Sequence, residues 1–345
     1  MKLPADKVHR LRPFYGGRTI CVTGGAGFIG GHLVDTLLSL GASIRVLDDL
    51  SNSTLEHLAE LIELEPERVR FIRGSVLDDE ALAEAMSGAS TVFHLGAMCS
   101  VQRSVEDPQR SFSVNATGTL RVLQAARKTS SLSGAGVERV VLASSSSLYG
   151  DDPSLPRVES QLPRPLSPYA AGKLAAEHLM SVHARCFGMS TISLRLFNVF
   201  GPRQTADSPY SGVVASFAKR MLAGESPVIF GDGLQTRDFT FVADAVLAFL
   251  LAGFAKVPPR GEVVNVGTGR SVTLLELARA MGQAVGAPHV HPTLQPERPA
   301  DVKHSLADIS RARELIGYEP TYTLEAGLAE LIEWCRQSVN SGQSA

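Results

Sequence analysis

Thr23-Gly24-Gly25-Ala26-Gly27-Phe28-Ile29-Gly30 is the stretch that decides the fold class. Ahead of it, Thr19-Ile20-Cys21-Val22-Thr23 is a β-branched run and reads as a strand; behind it, Gly30 to Leu40 reads as a helix closed by Gly41. Gly25, Gly27 and Gly30 fit GxGxxG, while Gly24, Gly27 and Gly30 fit GxxGxxG. Either register puts glycine where the turn is tight, where backbone must approach a pyrophosphate, and where helix meets strand. The helix start, with Phe28 and Ile29 inside it, offers its free N–H groups to the anion. A glycine motif between a strand and a helix implies a dinucleotide.

Working outward, Asp48 closes the second strand, Ser43 to Leu47, 18 residues after Gly30. A carboxylate there accepts the ribose hydroxyls of NAD and repels the 2′-phosphate of NADP. Leu55 to Leu64 reads as a helix, and Val69 to Ile72, Thr91 to Leu95 and Arg139 to Ala143 read as further strands with helices between them. This alternation predicts an α/β fold, a doubly wound parallel sheet covered on both faces. After Gly150 the rhythm loosens: Pro153, Pro156, Pro163, Pro165 and Pro168 mark a long irregular connection of the kind that is usually functional. Met1 to Gly17 mixes charges and prolines and reads as a tail.

Composition narrows the class. The 345 residues predict about two domains. Lys plus Arg number 33 and Asp plus Glu 35, so the charge is −2, which argues against a nucleic-acid partner. Cys21, Cys99, Cys186 and Cys335 are widely spaced and suggest thiols in a reducing cytoplasm rather than a disulfide framework or a zinc site. No apolar run reaches the ~18 residues that span a bilayer; Ala245 to Ala255 suits a buried helix. No metal ligand set is expected.

Ser167-Pro168-Tyr169-Ala170-Ala171-Gly172-Lys173 opens another helix, with Ser167 as N-cap and Pro168 at the first helical position. Tyr169 and Lys173, four apart, share one face. A free phenol, with its pKa near ~10, is a poor base at neutral pH; a neighbouring ammonium is expected to lower it. Upstream, a strand ends in Ala143-Ser144-Ser145-Ser146-Ser147-Leu148-Tyr149-Gly150. Its hydroxyls fall at the carboxyl end of a parallel strand, where such sheets bind ligands.

Together these blocks resemble the extended short-chain dehydrogenase/reductases, and more closely their NAD-dependent nucleotide-sugar epimerases, of the UDP-glucose and UDP-N-acetylglucosamine 4-epimerase kind. TGGAGFIG, the serine run with Tyr149-Gly150-Asp151, and SPYAAGK are followed in family order by LRLFNVFGPRQ (194–204), FGDGLQTRDFTFVAD (230–244), NVGTG (265–269) and RPADVKHSLAD (298–308). The resemblance spans about residues 18 to 335. It implies a Rossmann-like domain of residues 18–197 plus about 234–267. A smaller, discontinuous α/β domain of about 198–233 plus 268–340 would bind the nucleotide sugar.

The resemblance also assigns roles. Tyr169, Lys173 and Ser145 become the catalytic set. NAD would be held by Gly24, Gly27, Phe28, Ile29, Gly30, Asp48, Asn52, Ser75, Val76, Leu95 and Ala97, with Tyr169 and Lys173. Ser75 stands where the family usually has Asp. The nucleotide sugar would meet Ser100, Arg103, Ser145, Ser146, Asn198, Gln204, Arg237, Arg270, Arg298, Asp301 and Ser305, with arginine suited to the diphosphate. The family's dehydratases and decarboxylases carry an acid one or two places after the catalytic hydroxyl; here Ser146 and Ser147 occupy those places, which favours epimerisation. Ser305 replaces the bulky tyrosine of glucose-restricted members, implying UDP-GlcNAc and UDP-GalNAc or their uronic acids. Helices near Pro108 to Lys128 and Tyr169 to Cys186 resemble the pair that forms the family's homodimer.

Overall fold

In a computed structural model that describes residues 3–133, 136–204, 212–297 and 302–340, seven parallel strands form one sheet. These are β1 (Thr19–Thr23), β2 (Ser43–Asp48), β3 (Val69–Arg73), β4 (Thr91–His94), β5 (Arg139–Ser145), β6 (Ser190–Leu196) and the edge strand Arg260–Val266. Their order is β3-β2-β1-β4-β5-β6 and then the edge strand, so strand order reverses between β1 and β4. A doubly wound sheet opens a crevice at that reversal, at the carboxyl ends of the strands.

The strands are apolar on both sides because helices cover both faces. Ile20 and Val22 join one buried cluster with Phe93, Val141 and Ile192. Cys21, Val92, Val140 and Leu142 join a second with Leu82, Leu123, Ala176 and Met180. The connecting helices are α1 (Ala5–Tyr15), α2 (Phe28–Ser39), α3 (Glu56–Leu64), α4 (Asp79–Met86), α5 (Val101–Glu106), α6 (Pro108–Phe112), α7 (Gly118–Ser133) and α8 (Pro168–Phe187). The helix Val242–Phe254 lies across the first face and is buried from Val242 to Gly253.

Two expectations change. Ala5–Tyr15, expected within a tail, instead belongs to the fold: α1 buries Leu11 and Tyr15, and the Tyr15 hydroxyl donates to the Leu250 carbonyl at 2.7 Å. The surrounding charges and Pro13 hide this one-sided apolar pair in the sequence. The helix near 108–128 is present but changes pitch midway. A π-helical turn, Ser113–Thr117, joins α6 to α7.

The residues after β6 and after the edge strand build smaller two-stranded ribbons and helices. Thr236–Arg237 pairs antiparallel with Val272–Thr273, and Val228–Phe230 pairs parallel with Thr293–Gln295. Helix Leu274–Val285 packs against Val272–Thr273 and against helices Val213–Leu222 and Leu324–Asn340. Their apolar residues, Phe217, Leu277, Met281 and Leu331 among them, belong to the same buried cluster as the first sheet face.

Candidate active site

The glycine turn sits at the point where strand order reverses. Gly24 has φ +71°, and a Cβ there would lie 2.6 Å from the Gly96 nitrogen and 2.7 Å from the Leu95 carbonyl carbon. The loops after β1 and β4 thus touch backbone to backbone. A Cβ on Gly30 would lie 2.1 Å from the Gly24 oxygen, so α2 can start this close to β1 only with glycine. Gly27 precedes α2 and no side chain caps it, which leaves the first-turn N–H groups, those of Phe28 and Ile29 included, to an anion.

Asp48 stands beside this turn. It accepts from the Ala26 N–H at 3.0 Å, the Leu50 N–H at 2.9 Å and the Ser53 hydroxyl at 3.1 Å. Burial raises its pKa and those bonds oppose the rise. Asn52 Oδ1 accepts from the Arg103 guanidinium, while Ser100 caps α5 by accepting the Arg103 N–H at 3.1 Å. Expected cofactor and substrate residues are therefore already linked. Ser75 spends its hydroxyl on the Leu77 N–H at 3.2 Å. Val76 is buried, and Leu95 and Ala97 are half-buried in the loop after β4. A glycine cradle, an uncapped helix start and a carboxylate at the end of β2 fit a dinucleotide.

Ser145 and Tyr169 meet at the carboxyl end of β5. Ser167 caps α8, accepting the Ala170 N–H at 3.1 Å, and this fixes the start of the helix. Ser145 accepts the Ser147 N–H at 3.1 Å and shares a 2.9 Å hydrogen bond with the Ser147 hydroxyl; Ser146 opens the short 3₁₀ turn that follows. Lys173 is buried and its Nζ donates to the Ala143 carbonyl at 3.0 Å. Burial pulls the Lys173 pKa down to about 8, against upward pushes from Cys99 and Glu177. The Tyr169 phenol departs from expectation: burial raises its pKa, Cys99 adds to the rise, and a hydrogen bond with Ser145 opposes it. Desolvation of the phenolate outweighs any help from the nearby ammonium.

His94 lies below this pair. Thr119 donates onward to the Asn115 carbonyl at 2.7 Å, so His94 Nε2 donates to Thr119 at 3.0 Å and Nδ1 accepts from Thr23 at 2.7 Å. Burial drops its pKa to about 3, and the neutral ring ties β4 to β1.

The later blocks are placed as follows. Asn198 is exposed at φ +27°, and its carbonyl accepts the Thr240 N–H at 3.2 Å. Gln204 donates to the Val199 carbonyl at 3.2 Å, while its buried Oε1 has no partner among the described residues. Arg237 donates to the Thr236 and Lys303 carbonyls at 2.9 and 3.3 Å. Ser305 is buried beside that strand, its N–H on the Thr236 carbonyl at 3.1 Å. Arg270 is exposed, two residues before Val272, the strand partner of Arg237. Arg298 and Asp301 lie outside the described residues.

Three features were not foreseen. Asp238 is buried and accepts from the Thr268 N–H and hydroxyl, the Gly269 N–H and the Ala307 N–H at 2.6 to 3.2 Å. Arg203 reaches back to Asp35 and to His32 Nδ1 on α2. Glu177 and Arg195 form a buried two-pronged ion pair at 2.8 and 3.0 Å. The spacing of Glu177 from Lys173, one helical turn, was the only signal of that last feature.

The family described as "GDP-mannose 4,6 dehydratase" matches residues 21–331. A UDP-glucose 4-epimerase of Mycolicibacterium smegmatis is 41% identical over 91% of this chain and 97% of its own length. The chain belongs to the extended short-chain dehydrogenase/reductase family of NAD-dependent nucleotide-sugar epimerases. Among solved epimerases, the UDP-N-acetylglucosamine 4-epimerase of Methanobrevibacter ruminantium, in complex with UDP-N-acetylmuramic acid, superposes with a TM-score of 0.85 at 34% identity, covering 94% of this chain and 99% of that one. The UDP-glucose 4-epimerase of Thermus thermophilus, in complex with NAD, gives 0.79 at 36% identity over 92% and 99%. This epimerase is therefore an isomerase with NAD as its cofactor.

Proposed function

We propose that the protein interconverts the C4 epimers of a UDP-sugar, favouring UDP-GlcNAc and UDP-GalNAc or their uronic acids. The sugar would lie in a cleft between the NAD-binding part (18–197 plus about 234–267) and the remaining 198–233 plus 268–340. The observation that carries the reading is that the buried Lys173 is tied to the Ala143 carbonyl, two residues before Ser145, while Tyr169 on the same helix face lies beside Ser145. NAD, held by the glycine cradle and Asp48, would supply the hydride acceptor for the sugar C4 and then the donor to its opposite face, once the 4-keto sugar has turned over in the site. Tyr169 takes the proton of the C4 hydroxyl and returns it, and Ser145 holds the same oxygen. Lys173 contributes positive charge that favours the phenolate. Arg237, with Arg298, would pair with the diphosphate. Ser146 and Ser147 bring no carboxylate, which favours return of hydride over loss of water or CO₂. The small, buried Ser305 leaves room for an acetamido group, and the similarity to a UDP-N-acetylglucosamine 4-epimerase supports the same choice.

The exposed Phe112, Val182 and Phe187 on α6 and α8 support a homodimer across those helices, to be checked by light scattering. No helix among the described residues is long and apolar enough to cross a membrane, in keeping with a cytoplasmic site of action. The purified protein, incubated with UDP-Glc, UDP-GlcNAc and UDP-GlcA without added NAD, should invert C4 of UDP-GlcNAc by NMR. Inversion of none of the three, or release of CO₂, refutes the reading.

A further inference from the structure

The site has a buried charged layer behind it. Glu177 is one turn beyond Lys173 on α8 and 4% exposed. Its carboxylate accepts from the Ser144 hydroxyl at 2.6 Å and holds Arg195 of β6 by two bonds. Ser144 lies between Ala143, whose carbonyl accepts Lys173, and Ser145, which meets Tyr169. Two rungs therefore join α8 to the last residues of β5, Lys173 to Ala143 and Glu177 to Ser144. Beyond the pair, the Arg195 guanidinium lies 4.7 Å from the centre of the Tyr149 ring, and the Tyr149 hydroxyl donates to Asn265 at 2.7 Å.

We infer that Glu177 is a positioning residue of the epimerase site, which locks the end of β5 to α8 through Ser144 and sets a carboxylate one helical turn from the Lys173 ammonium. This rests on Tyr169 and Lys173 being the catalytic pair. A buried ion pair alone adds little to stability, because desolvation cancels much of its attraction. Here the carboxylate also serves two further groups that a neutral, well-packed pair could not. The titratable groups around Lys173 are Tyr169 and Glu177 on α8, His94 on β4 and Cys99 after it. His94 is neutral, with its pKa near 3, and of these neighbours Glu177 is the carboxylate that opposes the effect of burial on Lys173.

The test is the basic limb of the kcat–pH profile. Burial pulls the Lys173 pKa down to about 8, so its proton should set that limb. In Glu177→Gln the limb should move down by about one pH unit, with KM for the UDP-sugar nearly unchanged. Glu177→Gln/Arg195→Met removes both members of the ion pair, so that neither is left buried alone, and guards against misfolding of the single variant; its limb should move in the same direction by less, because the Arg195 charge is lost as well. Ser144→Ala should lower kcat several-fold with the limb unmoved. A wild-type limb in either Glu177 variant overturns the inference, as does its restoration by adding Arg195→Met, which would make Glu177 merely a counter-ion. Tyr169→Phe, measured alongside, separates the two readings: an active Tyr169→Phe enzyme removes the catalytic pair itself.

Discussion

The Lys173 ammonium donates to the carbonyl of Ala143, two residues before Ser145. The side chain is thereby fixed to the strand end that also carries the hydroxyl partner of Tyr169. Lys173, Tyr169 and Ser145 are set by one helix and one strand, so their relative positions do not depend on loops.

Removing the Tyr169 hydroxyl leaves this frame intact and deletes only the proposed proton carrier. Tyr169→Phe should lower turnover by ~10² or more, read by NMR of C4 inversion. Thermal stability should stay close to the unaltered protein.

Gly30→Ala attacks the cradle. The added methyl would sit 2.1 Å from the Gly24 carbonyl oxygen, so α2 must move away from the turn. NAD released by denaturing the purified variant should fall by about tenfold or more as the helix start leaves the pyrophosphate. Stability should fall by about 1–3 kcal/mol.

Acid should unfold the protein through two buried imidazoles. His32 and His94 are each held neutral, with pKa values of about 3, against about 6.5 once unfolded. Between those values the unfolded chain binds more protons, so stability is lost as pH falls below about 6.5. The slope approaches about 2.7 kcal/mol per pH unit for two sites. Urea denaturation at a series of pH values should show it, and His94→Gln should remove about half.

Ser305→Tyr should convert the pocket. A ring in place of the buried hydroxymethyl takes the space assigned to the acetamido group. The variant should lose about 10² in kcat/KM for UDP-GlcNAc and keep that for UDP-Glc within a few-fold. Equal losses on both sugars would show that residue 305 lines the pocket without choosing between them.

Much of this was legible along the chain because its causes are local. Strands buried on two faces read as apolar runs, glycines mark close backbone approach, and Tyr169 and Lys173 announce a shared face by their spacing. What stayed hidden depends on partners far away in sequence. Asp238 looks like any acidic residue until Thr268 and Ala307 fold onto it. Arg195 looks like a surface cation in an alternating strand until Glu177 buries it. Tyr15 shows its role only with Leu250 in place. The raised Tyr169 pKa was missed for a different reason: spacing shows which charges are near, but not how much water has been removed.

The late position of the helix Val242–Phe254 and the edge strand Arg260–Val266 bears on how the protein is made. When residue 200 leaves the ribosome, Ser145, Tyr169 and Lys173 have all been synthesised, yet on the face that α2 covers over β1 and β2, strands β4 to β6 still lack their helix. Asn265, which receives the Tyr149 hydroxyl and donates to the carbonyls of Arg157 and Asp308, comes later still. A nascent chain carrying the whole proposed catalytic set thus exposes the apolar side of β4 to β6 until its last third arrives, and a truncation before residue 266 should aggregate rather than fold.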